Sequence, residues 1–254
     1  MKKIIGCSFI LAALLFGLSL SSFADDTVEL KWKLPVGAKY VYDFKYDTIY
    51  PKNIPNMPET RTSMGGPITI ACNGIKANVK WENNYYESIL LGKALPPEVL
   101  NSMKQTVEDT MDIEGEMKNL LNMYFPLPPE PLKKNKPVEQ EKEAISSGYK
   151  FKGKAVYNYQ EAISFQGMDC VKYHFSFEGQ PSDVNGYPGK ASLIADYDCV
   201  FAPDRGIFIS VNGKETVKKE LPSKNQSRHV FMEENHTTSI QLKSAEYNQD
   251  KAKE

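Results

Sequence analysis

Between Tyr40 and Tyr50 the chain alternates with a period of two. Tyr40, Tyr42, Phe44, Tyr46, Thr48 and Tyr50 occupy one set of positions, and Val41, Asp43, Lys45, Asp47 and Ile49 the other. Successive side chains of a strand point to opposite sides, so the first set shares one sheet face and the second set the opposite face. A face of rings that seeks burial, backed by one that meets water, is the habit of an antiparallel sheet. Leu30, Trp32 and Leu34 alternate in the same way before Pro35-Val36-Gly37 interrupts them.

The pattern returns along the chain. Ile68–Cys72 and Ile75–Trp81 read as strands joined at Asn73-Gly74, a strong hairpin cue. Tyr85–Leu91 reads as another strand, while 51–66, rich in Pro, Asn, Thr and Gly, reads as a loop. From Tyr149 the apolar faces are Tyr149, Phe151, Ala155, Tyr157 and Tyr159, then Val171, Tyr173, Phe175 and Phe177, then Ala191 to Phe201 at every second position. Gly179–Gly189 reads as a loop, Pro203-Asp204-Arg205-Gly206 as a tight turn, and Asn212-Gly213 as the end of the strand that follows it. Strands near 214–221 and 228–243 complete a meander.

One section departs from this period. Pro97 and Glu98 suit the start of a helix, and Val99, Leu100, Met103 and Val107 follow at helical spacing. Met117, Leu120, Leu121 and Tyr124 form a second such stripe. Two helices over 97–110 and 114–124 are expected, packed on the sheet. The four prolines of Phe125–Pro131 end that section, and the charged stretch beyond reads as a linker over 126–147. The predicted class is mainly β (α+β), with one β-rich domain over 25–244 that carries a helical insertion, and a flexible tail over 245–254.

The amino terminus bears on compartment. Lys2-Lys3, an apolar run from Ile4 to Leu20 and a small-x-small exit at Ser22-Phe23-Ala24 describe a cleaved secretory signal over 1–24. Cys7 precedes the apolar core, so it reads as a discarded signal residue rather than a lipid anchor. Losing Lys2 and Lys3 moves the net charge from −1 to −3, with both signs mixed along the chain. A nucleic-acid binder would show a clustered basic surface. The densest basic run, Lys133-Lys134-Asn135-Lys136, is followed at once by Glu139, Glu141 and Glu143, which excludes that class. A mature chain that does not span the membrane, in the periplasm or secreted, is expected.

No catalytic constellation, metal motif or phosphate-cradling glycine loop stands out, and no cofactor is expected. His174, His229 and His236 read as surface histidines on strands. Asp196, Asp198 and Asp204 offer oxygens for a cation but are commonplace on a polar strand face. Cys72, Cys170 and Cys199 remain after signal removal, and an odd count leaves at least one thiol unpaired within the chain. If 179–189 is the hairpin loop, Cys170 falls almost opposite Cys199, which favours a disulfide. Alternation objects, because Cys199 lies on the apolar face and Cys170 shares a face with Lys172. A bulge beside Gly167 would reconcile the two.

Gly37-x-Lys39-Tyr40-x-Tyr42 opening an aromatic strand, Phe125-Pro126-Leu127-Pro128 after the helical section, and the Asp198–Gly206 hairpin resemble an uncharacterised family of exported bacterial proteins. The hairpin is also similar to that of periplasmic lipoprotein carriers, whose curved antiparallel sheet is an open half-barrel closed by helices over an apolar concavity. This resemblance implies non-catalytic handling of a lipid or other hydrophobic ligand. The residues expected to line such a concavity are Tyr40, Tyr42, Phe44, Tyr46, Tyr173, Phe175 and Tyr197. The competing expectation is a structural or assembly module that binds another envelope protein through a sheet edge or the proline segment. A hydrolase with dispersed catalytic residues comes third.

Overall fold

The computed structural model describes residues 27–50, 58, 60–90, 92–117, 125–182, 190–221 and 230–247. The expected signal over 1–24, residues 118–124 of the second expected helix, and 248–254 of the tail lie outside them. In chain order the strands are β1 (Thr27–Val28), β2 (Ala38–Tyr50), β3 (Thr60–Asn73), β4 (Lys76–Asn83), β5 (Tyr85–Leu90), β6 (Lys93–Ala94), β7 (Gln105–Asp112), β8 (Leu132–Lys133), β9 (Val138–Ser146), β10 (Tyr149–Phe165), β11 (Met168–Pro181), β12 (Ala191–Ala202), β13 (Ile207–Leu221) and β14 (Val230–Tyr247). A helix α1 (Pro97–Ser102) lies between β6 and β7, and a single π-helical turn (Ile113–Met117) follows β7.

All but β1 and β8 belong to one antiparallel sheet, in the order β6-β5-β3-β2-β14-β13-β12-β11-β10-β9, with β4 and β7 branching from β3. The last strand therefore sits beside the first long one, where Leu242 pairs with Tyr42 and Thr238 with Tyr46. Inner-facing rings meet across neighbouring strands. Tyr157, Phe175 and Tyr197 stand in one row, with ring centroids 5.1 and 6.0 Å apart. Each such pair adds about 0.5–1.5 kcal/mol beyond its buried area.

The sheet is open but strongly curved. The β9–β10 turn bonds to β13 and β14 (Ser146 to Glu215, Ser147 to Glu234), although β11 and β12 lie between them in the sheet. A flat sheet would hold these strands well apart, since each neighbour adds about 4.8 Å. The expected curved sheet with short helices is what forms.

Several local expectations are corrected. The first helix stops at Ser102, and 105–112 is strand β7, paired with β4 from Gln105↔Asn83 to Asp112↔Lys76. Thr106, Val107 and Thr110 are β-branched, and the free edge of β4 supplies backbone partners that a helix there would leave unused. The expected linker over 126–147 contains β9, paired with β10 from Val138↔Tyr157 to Ser146↔Tyr149. Its inward positions are Val138, Gln140, Lys142, Ala144 and Ser146, too polar to show an apolar period. As an edge strand it carries an inward charge, a common guard against pairing with other chains. The tail is ordered further than expected, because β14 continues to Tyr247.

Two glycine-containing steps also behave otherwise. Gly65-Gly66 is not loop but the point within β3 where its partner changes from β5 to β4. A Cβ at Gly66 would lie 1.8 Å from the Glu82 carbonyl oxygen, so the β4–β5 corner closes onto bare backbone. Asn212-Gly213 does not end its strand. A Cβ at Gly213 would lie 2.1 Å from the ring of Tyr197, its partner across the strand pair.

The Cys170–Cys199 disulfide does not form. Cys199 pairs with Tyr173 and Cys170 with Ile163, and the irregularity in β10 falls at Tyr159/Glu161 rather than beside Gly167. Three residues of strand separate the two cysteines, about 10 Å, beyond what a disulfide spans. Cys72, Cys170 and Cys199 are all free and buried. Burial pushes the Cys72 and Cys170 thiols up to about 11 and Cys199 higher still. We expect reductant to leave the melting temperature unchanged, and all three thiols to react with a thiol reagent only after denaturation.

Candidate functional site

A groove opens where three pieces of chain meet. The first is the strap of residues 29–32 after β1. It is held by the Lys33 N–H on the Gly206 carbonyl at 2.9 Å, and Gly206 itself adopts φ +63°. A Cβ at Gly206 would lie 2.4 Å from the Lys33 nitrogen, so the β12–β13 turn needs glycine for the strap to dock.

The second piece is the proline segment, Phe125–Pro131. Phe125 is buried under Trp32 in an edge-on contact at 5.2 Å and also touches Tyr42 and Phe208. The Tyr173 hydroxyl donates to the Pro126 carbonyl at 2.7 Å. Pairing of β1 with β8 ties the far ends of strap and segment together, Val28 against Leu132. The third wall is the inward side of β9. The space between them is about 490 Å³, lined by Leu30, Trp32, Leu127, Pro128 and Pro131 with Glu29, Lys31, Glu130, Gln140 and Lys142 at its polar edges. That volume falls within the range of small-molecule sites.

None of the seven aromatics expected to line a concavity lines this groove. Tyr40, Tyr42, Phe44 and Tyr173 are buried to 3 % exposure or less, covered by the chain itself. The strap and proline segment fill that end of the half-barrel. Phe175 lies behind Lys142, with the ammonium 5.6 Å from its ring centre.

Tyr46 and Tyr197 border a second feature that sequence reasoning missed, a buried polar network at the other end of the concavity. His236, expected on the surface, is 4 % exposed. Alternation along β14 puts Glu234, His236, Thr238 and Ile240 on one face, but nothing in the sequence says that this face turns inward at its polar end. The Lys219 ammonium meets Glu234 at 2.9 Å, with side chains 8 % and 5 % exposed. Lys219 also sits 4.6 Å from the Tyr149 ring centre. Ser147, at φ +49° in the β9–β10 turn, donates its hydroxyl to Glu234 at 2.5 Å. Tyr197 donates to Glu215 at 2.7 Å, and so does Ser146 at 2.9 Å.

The histidine tautomer follows from its neighbours. Burial raises the Tyr46 phenol to about 12, so Tyr46 keeps its proton and donates to His236 Nδ1 at 2.8 Å, with Thr48 beside it at 3.1 Å. Nε2 then carries the hydrogen and donates to Ser147 Oγ at 3.1 Å. The result is a chain of bonds from Tyr46 through His236 and Ser147 to Glu234 and Lys219. It pins the β9–β10 turn to the middle of the sheet.

Burial lowers the His236 pKa below 6.5, and Lys219 adds to this, while Glu215 and Glu234 pull the other way. A depressed folded-state value means that the unfolded chain takes up the proton first. The contribution of His236 is therefore complete above about pH 6.5 and is lost as the pH falls through its folded value. We expect the urea midpoint to fall between pH 7.5 and pH 5, and His236→Gln to flatten that dependence relative to the native chain.

His174 pairs with Asp196 at 3.4 Å and Asp198 at 3.1 Å on the outer face, partly exposed, so these two carboxylates answer a histidine. His229 lies outside the described residues. Among the described residues no three His, Cys, Asp or Glu side chains converge on a metal position, and no helix is long and apolar enough to cross a membrane. No protein-family model matches the sequence, and no curated protein matches it.

Proposed function

We propose that this is an exported, non-catalytic protein of the bacterial envelope that binds a hydrophobic ligand. The observation that carries the reading is the groove of about 490 Å³ walled by Leu30, Trp32, Leu127 and prolines. Its walls are pinned at Gly206, Phe125 and Tyr173, which lowers the ordering cost that opposes binding. The resemblance of the sequence to half-barrel lipoprotein carriers points to the same class of ligand. The serine–histidine contact at Ser147 argues for a structural role. Its hydroxyl is given to Glu234, and Glu234 is held by Lys219, which leaves no free base for a nucleophile.

Native mass spectrometry of protein purified from the envelope without detergent tests this. A reproducible adduct of lipid-like mass, released by organic extraction, is the expected result. A clean apo mass, together with no uptake of an apolar fluorescent dye, would sink the proposal.

A second reading, an assembly module for another envelope protein, has its own support. Among the described residues β7 pairs only with β4, and Val107 on it is 58 % exposed. Crosslinking in whole cells would then trap a partner through β7.

A further inference from the structure

The strap and the proline segment give the groove apolar walls, and its β9 wall carries a half-buried charge with no counterpart. Lys142 projects inward from β9, two residues from Gln140 on the same face. Among the described residues no carboxylate lies within ion-pairing distance of its ammonium. Its sequence neighbours Glu141 and Glu143 are exposed on the outer face, and Glu139 there is paired with Lys154 at 2.8 Å. Of the other charged groups at the groove, Glu29 and Lys31 answer each other at 2.6 Å, and Glu130 is exposed at the rim.

A charge withdrawn from water is costly unless it is paired, and a ring at 5.6 Å returns only part of that cost. Burial lowers the Lys142 pKa, and no neighbouring charge contributes to the shift. A lysine in this position gains most from an anion brought by something else.

We propose that the groove takes a single-chain amphiphile ending in a carboxylate, with the chain along Leu30, Trp32 and Leu127 and the carboxylate on the Lys142 ammonium. The proposal rests on the hydrophobic-ligand reading above. A carboxylate is chosen over a phosphate because one point charge stands here with one amide, that of Gln140. Phosphate sites gather several cations, an arginine fork or backbone N–H groups, and the second cation of this groove, Lys31, is already engaged by Glu29.

The test uses Trp32, which lines the groove, as the reporter. The chain has two tryptophans, so a Trp81→Phe background leaves Trp32 alone. Dodecanoate, dodecanol and dodecyl phosphate, equal in chain length, are titrated below their micelle concentrations while Trp32 emission is followed. Dodecanoate should bind roughly tenfold or more tighter than dodecanol, the margin of a charge-assisted bond. Lys142→Gln should remove that preference and Lys142→Arg should keep it, with thermal melts confirming that both variants fold. Equal binding of dodecanoate and dodecanol would overturn the anion proposal yet leave the hydrophobic-ligand reading standing, with Lys142 then only a guard of the β9 edge. A preference for dodecyl phosphate would overturn the carboxylate assignment. If none of the three perturbs Trp32, both readings fall.

Discussion

Glu234→Ala should destabilise the protein by about 3–5 kcal/mol, the usual cost of breaking a buried ion pair from one side. The variant leaves Lys219 buried without a counter-charge, and at 8 % exposure its ammonium cannot be re-solvated by a small shift. Ser147 loses its acceptor at the same time, so the β9–β10 turn keeps only the His236 bond to β14. Urea denaturation against the native chain gives the number. The double replacement Lys219→Met/Glu234→Leu should recover much of the loss, because a well-packed apolar pair of similar volume is often as stable as the ions it replaces. A single variant within about 1 kcal/mol of the native chain would mean that water reaches this pair and that the network does not hold the turn.

Phe125→Ala should cost a similar amount, about 3–5 kcal/mol, typical of a large aromatic removed from a core. Phe125 is 4 % exposed and touches Trp32, Tyr42 and Phe208 at centroid distances of 5.2, 5.6 and 4.9 Å. It is the peg by which the proline segment is seated, so its loss should also loosen the groove. Denaturation measures the first effect and a red shift of Trp32 emission the second. Phe125→Leu should cost clearly less, since it keeps most of the buried volume. An unshifted spectrum in the alanine variant would show that the Tyr173–Pro126 hydrogen bond and the β1–β8 pairing hold the segment without it.

Much of the fold was legible in the sequence because burial wrote it there. Alternation at Tyr40–Thr48, Val171–Phe177 and Ala191–Phe201 places apolar side chains on one face, and those strands form where expected. The failures fall where burial is weak or the partner is remote. Strand β9 looked like a charged linker because its inward residues include Gln140, Lys142 and Ser146. Strand β7 carries almost no buried side chain, so only its pairing with β4 makes it a strand. Gly65-Gly66 looked like loop and Gly213 like a strand end, but each is where another part of the chain presses on bare backbone.

The sites divide the same way. Six of the seven aromatics are buried and Tyr46 is partly so, but the sequence could not say that residues 29–32 and 125–131 would cover Tyr42 and Tyr173. Lys142 was read as linker because the inward positions of β9 are polar, and His236 as surface because its partners are distant in the chain. His236 meets Ser147 across 89 residues and Tyr46 across 190.

By itself, then, the sequence determined an antiparallel β domain with an aromatic inner face, since a period of two leaves that face no other way to be buried. It also determined the turns at Gly74 and Gly206, where positive φ requires a residue without a Cβ. Only the tertiary structure decided how far the sheet curls. Curvature arises from strand pairing and twist summed over the whole sheet, not from any local stretch. That curl brings the β9–β10 turn onto Glu234 and His236, and long-range docking seats the strap and proline segment over the core. The groove with its unpaired lysine exists only where those pieces meet.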